Sequence, residues 1–379
     1  MEISELYRAL ELSHYSGRYK GHVLAVGMSL NTPFHDLVLD FKVLAAYEIK
    51  VVIMAPDPNF ELEREIALSN THGTNFSLIQ AQEPQTAGSY DLKVNLSQVE
   101  AALELGETPV VAYHFLTPQT SLIQAPMKLG KYIATHLKAK KVIFLSQSAQ
   151  RLEDALSRTR VNYEEYDQFF ERLHESGLGI FEESMRYIQS LLKSGISEVA
   201  FLVGKAGVVC QEVFTHEGAG ILFSKISHST IRQAELRDIS DIVFQIRPHV
   251  ESGRILPVEE NAIAQDLQNF WVYEIDGQIV SIMRLKEYGD WAEIATGSTI
   301  FRDRKLGRAL ELFNLIFEEA VKRRFKGVFC VSNNSMVQQK LATSGFDEVQ
   351  FDELPQTWQK QYNSSRSSKA FRLSFKEVK

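Results

Sequence analysis

The sequence has few cysteines, no long apolar run and no excess of basic residues. Cys210 and Cys330 are the only cysteines, and each lies within an apolar segment, which suggests neither a disulfide framework nor a zinc site. No apolar stretch reaches membrane-spanning length, and the first residues lack the basic and apolar regions of a secretory signal. The formal charge of −7 argues against general nucleic-acid binding. We therefore expect a cytoplasmic protein that uses no metal, nucleic acid or membrane.

The chain is long enough for two hydrophobic cores. Its 379 residues, 44% apolar and 23% charged, have the composition of a folded globular protein, and this length favours two domains. Residues 1–225 alternate strand-like and helical patterns, which is typical of a parallel sheet covered by helices on both sides. Beyond them, Asp276-Gly277 between two apolar segments indicates a hairpin. We therefore predict an α/β fold class with a domain boundary near residue 225.

Residues 304–309, Arg-Lys-Leu-Gly-Arg-Ala, lie where an apolar strand leads into an amphipathic helix. The helix is predicted to begin near Leu306, because apolar residues then recur at i, i+3 and i+4. Its first turn presents unpaired N–H groups and the positive end of the helix dipole, and Gly307 has no side chain to block an anion. This pattern alone arises by chance in roughly one chain in three of this length. It therefore predicts a pyrophosphate site only with support from its neighbours.

Those neighbours resemble the GNAT acetyltransferase superfamily over about residues 231–379. A hairpin, a strand at 293–300, the Arg-x-x-Gly-x-Ala loop, a strand at 326–331 and a helix from Asn334 to Gly345-Phe346 follow in that superfamily's order. The resemblance implies a mixed-sheet α+β GNAT acetyltransferase domain over residues 226–379. Its loop would bind the pyrophosphate of acetyl-coenzyme A, and its splayed strand would offer backbone groups to the pantetheine. The implied cofactor-binding residues are Ser298, Thr299, Ile300, Arg304, Lys305, Leu306, Gly307, Arg308, Ala309 and Asn334.

The first domain resembles the amino-acid kinase fold. The glycine-ended strand at 23–27, the strand and turn at 51–58 and the segment at 213–220 carry this resemblance. A kinase of that family holds the transferring phosphoryl group with a lysine on the first strand, but Leu24 and Ala25 stand there. The resemblance implies a three-layer αβα amino-acid kinase-like domain over residues 1–225 that is catalytically degenerate, with a regulatory role as one interpretation.

The two domains in this order resemble the bacterial N-acetylglutamate synthase family. Ile-Arg-Pro at 246–248 and Tyr-Asn-x-x-Arg-x-Ser-Lys at 362–369 match motifs of that family. The resemblance implies transfer of acetyl from acetyl-coenzyme A to the α-amine of L-glutamate, the first step of arginine biosynthesis, by direct attack. Arginine suits bidentate recognition of a carboxylate. The implied acceptor-binding residues are Arg247, Arg366, Ser368 and Lys369.

Acetylation of an amine requires a base for the ammonium proton and, in many enzymes, an acid for the departing thiolate. The family comparison makes Glu293 the candidate base, acting through water; the alternative is a solvated carboxylate at a strand start. Many acetyltransferases carry an acidic tyrosine where this chain has Leu341. Ser332 is the substitute that the resemblance suggests, and a hydroxyl that caps the next helix is the alternative.

Two other functions remain open. One is acetyl transfer to another amino acid or small amine; the other is a protein that senses coenzyme A or an amino acid without turnover. Leu341 favours the sensor, whereas Glu293 and Arg366 favour the enzyme. In arginine-sensitive relatives an N-terminal helix helps to form the inhibitor site and a ring of subunits. Residues 3–15 fit such a helix, which implies a homo-oligomer and an arginine effector site against 214–220; the alternative is a helix that caps the sheet.

Overall fold

The structure is a computed structural model, and it describes residues 3–82, 92–114, 124–157, 159–226, 228–253, 255, 260–362 and 367–375. The chain divides into two compact units, Met1–Ile226 and Ser227–Lys379. Within the described part of the chain, no helix is long and apolar enough to cross a membrane. The same residues contain no group of three His, Cys, Asp or Glu side chains placed to hold a metal ion.

Helices and strands alternate along the first unit. Its described helices are α1 (Ile3–Tyr19), α2 (Val38–Ala46), α3 (Leu62–Thr71), α4 (Leu96–Glu104), α5 (Gln124–His136), α6 (Ala149–Leu156), α7 (Tyr166–Glu175), α8 (Glu182–Lys193) and α9 (Val208–Phe214). Its described strands are β1 (Val23–Met28), β2 (Lys50–Pro56), β3 (Phe76–Gln80), β4 (Thr108–Tyr113), β5 (Lys141–Leu145), β6 (Arg160–Asn162), β7 (Glu198–Leu202) and β8 (Ile221–Ser224).

These strands form one eight-stranded sheet in the order β3-β4-β2-β1-β5-β7-β8-β6. Only the pair of β7 with β8 is antiparallel among its described ladders. Successive side chains alternate between faces, so Leu24 and Val26 belong to one core and Ala25 to the other. Helices α2 and α9 pack on the first core, and α5 and α8 on the second. Because both faces are covered, the strands are apolar throughout, and the predicted three-layer αβα arrangement is confirmed.

A buried ionic cluster connects α1 to the sheet of the first unit. The Lys141 Nζ lies 3.1 Å from the Glu198 Oε2 and 2.5 Å from the Glu212 Oε1, and its side chain is only 3% exposed. The Tyr19 hydroxyl donates to the Glu198 Oε2 at 3.3 Å, and the Arg18 Nη2 lies 3.3 Å from the other oxygen. Burial alone would raise the pKa of Glu198, but the positive charges around it hold that pKa well below its usual range. Glu198 is therefore an ionised structural group.

The second unit is built around an antiparallel meander. Its described helices are α10 (Ile239–Glu251), α11 (Glu260–Gln265), α12 (Arg308–Lys322), α13 (Ser335–Thr343) and α14 (Gln356–Gln359). Its described strands are β9 (Ser229–Gln233), β10 (Phe270–Ile275), β11 (Gln278–Tyr288), β12 (Trp291–Thr299), β13 (Gly327–Ser332), β14 (Asp347–Val349) and β15 (Lys369–Ser374).

The seven strands lie in the order β14-β15-β13-β12-β11-β10-β9, and β12 with β13 is the one parallel pair described. Asp276 and Gly277, with φ of 45° and 81°, form the tight turn between β10 and β11. Helix α12 packs Leu312 and Ile316 on one face of the sheet. On the other face lies an aromatic cluster that includes Trp358. The predicted mixed-sheet α+β architecture is confirmed.

Candidate active site

Strand β12 changes course at Thr296. This residue has φ of 53°, and the pairing of β12 with β11 shifts register between Ile282 and Arg284. A bulge of this kind bends a strand and increases its twist. On its other edge, β12 pairs with β13 only from Trp291 to Glu293. The two parallel strands therefore separate immediately after Glu293 and leave an opening between them.

The loop after β12 has two residues in the left-handed backbone region. Lys305 has φ of 65° and Gly307 has φ of 81°, and α12 begins at Arg308 rather than near Leu306 as predicted. The difference arises because Gly307 is the cap: its carbonyl accepts the N–H of Leu310 at 2.9 Å, while its own backbone is not helical. The first N–H groups of α12 lack helical partners, as in any helix. Together with the dipole, they suit an anion at this loop.

The three basic side chains of the loop have different surroundings. The Arg308 guanidinium lies 5.4 Å from the centre of the Tyr273 ring and donates to the Tyr273 hydroxyl at 3.3 Å. It also lies 3.7 Å from the Glu311 carboxylate, and its side chain is 13% exposed. Arg304 and Lys305 are exposed. The loop therefore offers two exposed cations, whereas the charge of Arg308 is already balanced by Glu311.

Most backbone groups at 298–300 have partners within the chain. The Ser298 carbonyl accepts from the Ser281 hydroxyl at 3.0 Å, and the Thr299 carbonyl accepts from the Arg304 Nε at 2.9 Å. The N–H of Ile300 donates to β11 at 2.9 Å. Adjacent residues of a strand direct their N–H groups to opposite edges. The Thr299 N–H is therefore directed toward the opening, on the side where the strands have separated.

Glu293 stands at the point where β12 and β13 separate. Its Oε1 accepts the indole N–H of Trp358 at 2.9 Å, and the Tyr288 hydroxyl also forms a hydrogen bond to this carboxylate. Burial raises the pKa of Glu293; the Trp358 hydrogen bond and the charges of Arg284 and Lys286 lower it only in part, so the net shift is upward. Glu293 is thus a buried group, not the solvated carboxylate that was the alternative.

An aromatic stack surrounds this carboxylate. The rings of Trp358 and Tyr362 lie 4.4 Å apart at 21°, and the Phe351 ring is nearly parallel to that of Trp358 at 6.2 Å. Phe329, which pairs with Glu293 in the sheet, meets the Trp358 ring edge-on. Sequence analysis did not identify Trp358 or Tyr288. Tyr288 could have been found from its even spacing with Arg284 and Lys286 on one face of β11, but Trp358 gave no local signal.

Ser332 and Asn334 lie at the turn between β13 and α13. The Ser332 hydroxyl oxygen accepts the Asn334 N–H at 3.1 Å, and the Asn334 side chain caps α13 by accepting the Met336 N–H at 3.0 Å. The alternative role, a hydroxyl that supports the start of the helix, is therefore observed. Because the oxygen acts as an acceptor there, the Ser332 proton is still available for donation.

The structure brings only some of the predicted acceptor-binding residues together. Lys369 stands opposite Ser332 on β15, but its ammonium pairs with Glu348 at 2.9 Å and is about half exposed. The Ser368 hydroxyl oxygen is buried and has no hydrogen-bond partner among the described residues. Arg247, on α10, pairs with Glu251 at 2.9 Å. The remaining predicted residue, Arg366, lies outside the described residues.

The chain is similar to bacterial amino-acid acetyltransferases. It is 30% identical to that of Neisseria meningitidis serogroup A over 241 residues, 62% of this chain and 53% of the relative. It is 27% identical to that of Vibrio atlanticus over 257 residues, 65% of this chain and 57% of the relative. The chain thus spans about half the length of the curated relatives it matches. A scan against family models found no match.

A solved structure supports the same resemblance at the level of the fold. The N-acetylglutamate synthase of Neisseria gonorrhoeae, solved with coenzyme A and L-arginine, aligns with a TM-score of 0.52 and 20% identity, covering 98% of this chain and 99% of that one. The two-domain architecture predicted from the motifs is therefore that of a known acetyltransferase structure. The chain is similar to the amino-acid acetyltransferases in sequence and to N-acetylglutamate synthase in fold.

Proposed function

We propose that this chain transfers the acetyl group of acetyl-coenzyme A to the α-amine of an amino acid, and that the acceptor is L-glutamate. The observation that carries this proposal is the placement of Glu293, a buried carboxylate with a raised pKa, at the separation of β12 and β13. The strand that carries it leads directly into a helix N-terminus with two exposed cations. A proton acceptor and an anion site are thus present on one strand–loop unit.

Acetyl-coenzyme A would supply the reactive acetyl thioester when bound. The first turn of α12, with Gly307, Arg308 and Ala309, would hold its pyrophosphate through backbone N–H groups. Leu306 and the exposed Arg304 and Lys305 border that turn. Gly307 fits this role because a side chain at φ of 81° would be strained there. The N–H of Thr299 would donate to the thioester oxygen, as a preorganised donor does for a developing charge.

Glu293 would accept the proton of the acceptor's ammonium group, directly or through one water. Burial raises its pKa, and a base with a pKa nearer the working pH transfers protons more efficiently than an ordinary carboxylate. The amine then attacks the thioester carbonyl, and the thiolate leaves. The Ser332 hydroxyl is the proposed proton donor to that thiolate.

The glutamate assignment rests on groups that bind carboxylates. Arg247 and Arg366 would bind the two carboxylates of the acceptor, with Ser368 and Lys369 beside them. The buried, unpartnered hydroxyl oxygen of Ser368 supports a polar ligand at this position. For Arg247 to take part, its contact with Glu251 must open, which is inexpensive because Glu251 is exposed.

Arginine is the proposed effector of the first unit. The N-terminal helix α1 packs on α9, and the Glu11 Oε1 lies 2.6 Å from the His216 Nδ1 at the end of that helix. This places a carboxylate of α1 beside the segment where sequence analysis expected the effector. Arginine should raise the melting temperature or change the rate. An unchanged melting temperature and an unchanged rate at millimolar arginine would contradict this proposal and favour a helix that only covers the sheet.

The function is tested by measuring coenzyme A release from acetyl-coenzyme A with each amino acid in turn. We expect L-glutamate to give the largest rate over background. If another amino acid or small amine gives that rate, the chemistry stands and the acceptor is wrong. If none does while coenzyme A still binds in calorimetry, the chain is a ligand sensor.

A further inference from the structure

Glu293 is held by two hydrogen-bond donors that come from different elements. The Trp358 Nε1 lies 2.9 Å from the Glu293 Oε1, and Trp358 is 4% exposed. Tyr288, from β11, is 9% exposed and directs its hydroxyl at the same carboxylate. A buried indole N–H and a buried phenol both require a partner, so each contact is costly to break.

The aromatic stack fixes Trp358 in place. Trp358 lies on the single turn of α14, and a helix of four residues has little stability of its own. The parallel rings of Phe351 and Tyr362 and the perpendicular ring of Phe329 hold the indole instead. The indole N–H therefore points in one direction, toward Glu293.

We propose that Trp358 and Tyr288 are positioning residues that hold the Glu293 carboxylate in one rotamer, with a remaining lone pair directed at the amine. This proposal rests on the function proposed above. A carboxylate that accepts two hydrogen bonds still has lone pairs to accept a third proton. Without these donors, the side chain of Glu293 would be free to rotate, and fewer of its orientations would reach the acceptor.

The charged and titratable groups around Glu293 predict the direction of the pH effect. Arg284 and Lys286 face it from β11 together with Tyr288, and Cys330 faces it from β13. Burial and the negative charge of Glu293 raise the pKa of Cys330 to about 12, so this thiol stays neutral. The hydrogen bond from Trp358 favours the ionised form of Glu293. Its loss should therefore raise the pKa of the base.

The test uses Trp358→Phe, which keeps an aromatic ring and removes the N–H donor. We expect the acid limb of the kcat–pH profile to move up by about one pH unit, since a hydrogen bond to a charged group has about that value. The KM for acetyl-coenzyme A should stay unchanged. Tyr288→Phe should move the limb in the same direction.

Trp271→Phe is the matched control. The Trp271 Nε1 is buried and has no hydrogen-bond partner among the described residues, and its ring packs on the α12 side of the sheet. This variant should leave the acid limb in place. If Trp358→Phe lowers kcat without moving the limb, and Tyr288→Phe does the same, the two residues are structural and the proposal is overturned.

A second readout separates this proposal from the proposed function. In a Trp271→Phe/Trp291→Phe background, Trp358 is the only tryptophan left, because the chain has three. Its fluorescence should titrate with pH, and Glu293→Gln should abolish that titration. If no amine is acetylated but the titration is present, the function fails and the contact stands. If the titration survives Glu293→Gln, the contact fails even where acetylation is observed.

Discussion

The two units each bury a glutamate, and the two glutamates have opposite environments. Glu198 in the first unit meets Lys141 and Arg18, and these cations hold its pKa well below the usual range despite burial. Glu293 in the second unit meets a neutral indole N–H, and burial leaves its pKa raised. A buried carboxylate with cations is a structural ion; one with neutral donors can take up a proton near working pH. The contrast separates the structural carboxylate from the candidate base.

The largest expected effect removes the cation from the first unit. Lys141→Met leaves Glu198 and Glu212 buried without the ammonium between them. We expect a loss of about 3–5 kcal/mol in the free energy of unfolding, measured in urea, because uncompensated buried charge is costly.

Lys20→Met is the control for this experiment. Lys20 pairs with Glu48 at 3.1 Å, but both side chains are more than half exposed. Its loss should change the free energy of unfolding by about 0–1 kcal/mol. Equal effects of the two variants would show that the buried cluster is not a special source of stability.

A matched pair of Glu→Gln substitutions tests the two carboxylates directly. Glu198→Gln should destabilise the fold at pH 7 by about 1.5–3 kcal/mol, since it weakens hydrogen bonds to a charged partner. Glu293→Gln keeps an oxygen for the Trp358 N–H and removes a buried charge. It should leave the melting temperature equal or higher. A larger loss of stability from Glu293→Gln than from Glu198→Gln would reverse the assignment.

The same pair should have opposite pH dependence. The folded pKa of Glu198 is lowered, so its stabilisation is present above the unfolded value of about 4.3 and is lost as pH falls through the folded pKa. The folded pKa of Glu293 is raised, so its contribution is present below that unfolded value and is lost as pH rises through the folded pKa. Unfolding free energies of wild type and each variant between pH 4 and 8 should therefore diverge in opposite directions. Parallel curves would contradict the comparison.

The smallest effect compares two capping glycines. Gly207 precedes α9 with φ of 79°, and Gly307 precedes α12 with φ of 81°. Alanine at either position should cost about 1 kcal/mol of stability, because both backbones are left-handed. Only Gly307→Ala should also weaken coenzyme A binding, by about tenfold in calorimetry. Equal coenzyme A affinity in both variants would remove the loop from the proposed cofactor site.

The sequence predicted those features that depend on local pattern. Apolar periodicity located both sheets, and the strand–loop–helix order around Gly307 located the cofactor loop. Periodicity did not predict the start of α12 at Arg308, because the left-handed backbone of Gly307 decides it.

Contacts between distant segments escaped prediction. The Trp358 hydrogen bond joins residues 65 positions apart, and no local pattern records such a pair. The surroundings of Arg308 also escaped, since its partner Tyr273 lies 35 positions away on another strand. Glu293 itself was found through the family resemblance, whereas its burial and its raised pKa come from the packing of α14.

The most direct test of Glu293 as the base is the rate of coenzyme A release with L-glutamate, measured against pH for wild type and Glu293→Gln. We expect the wild-type rate to fall on the acid side with an apparent pKa above that of an ordinary glutamate, because burial raises the pKa of Glu293. Glu293→Gln should lower kcat by about 10²–10⁴-fold, remove that limb and keep coenzyme A affinity. A wild-type rate and pH profile retained in Glu293→Gln would contradict the account.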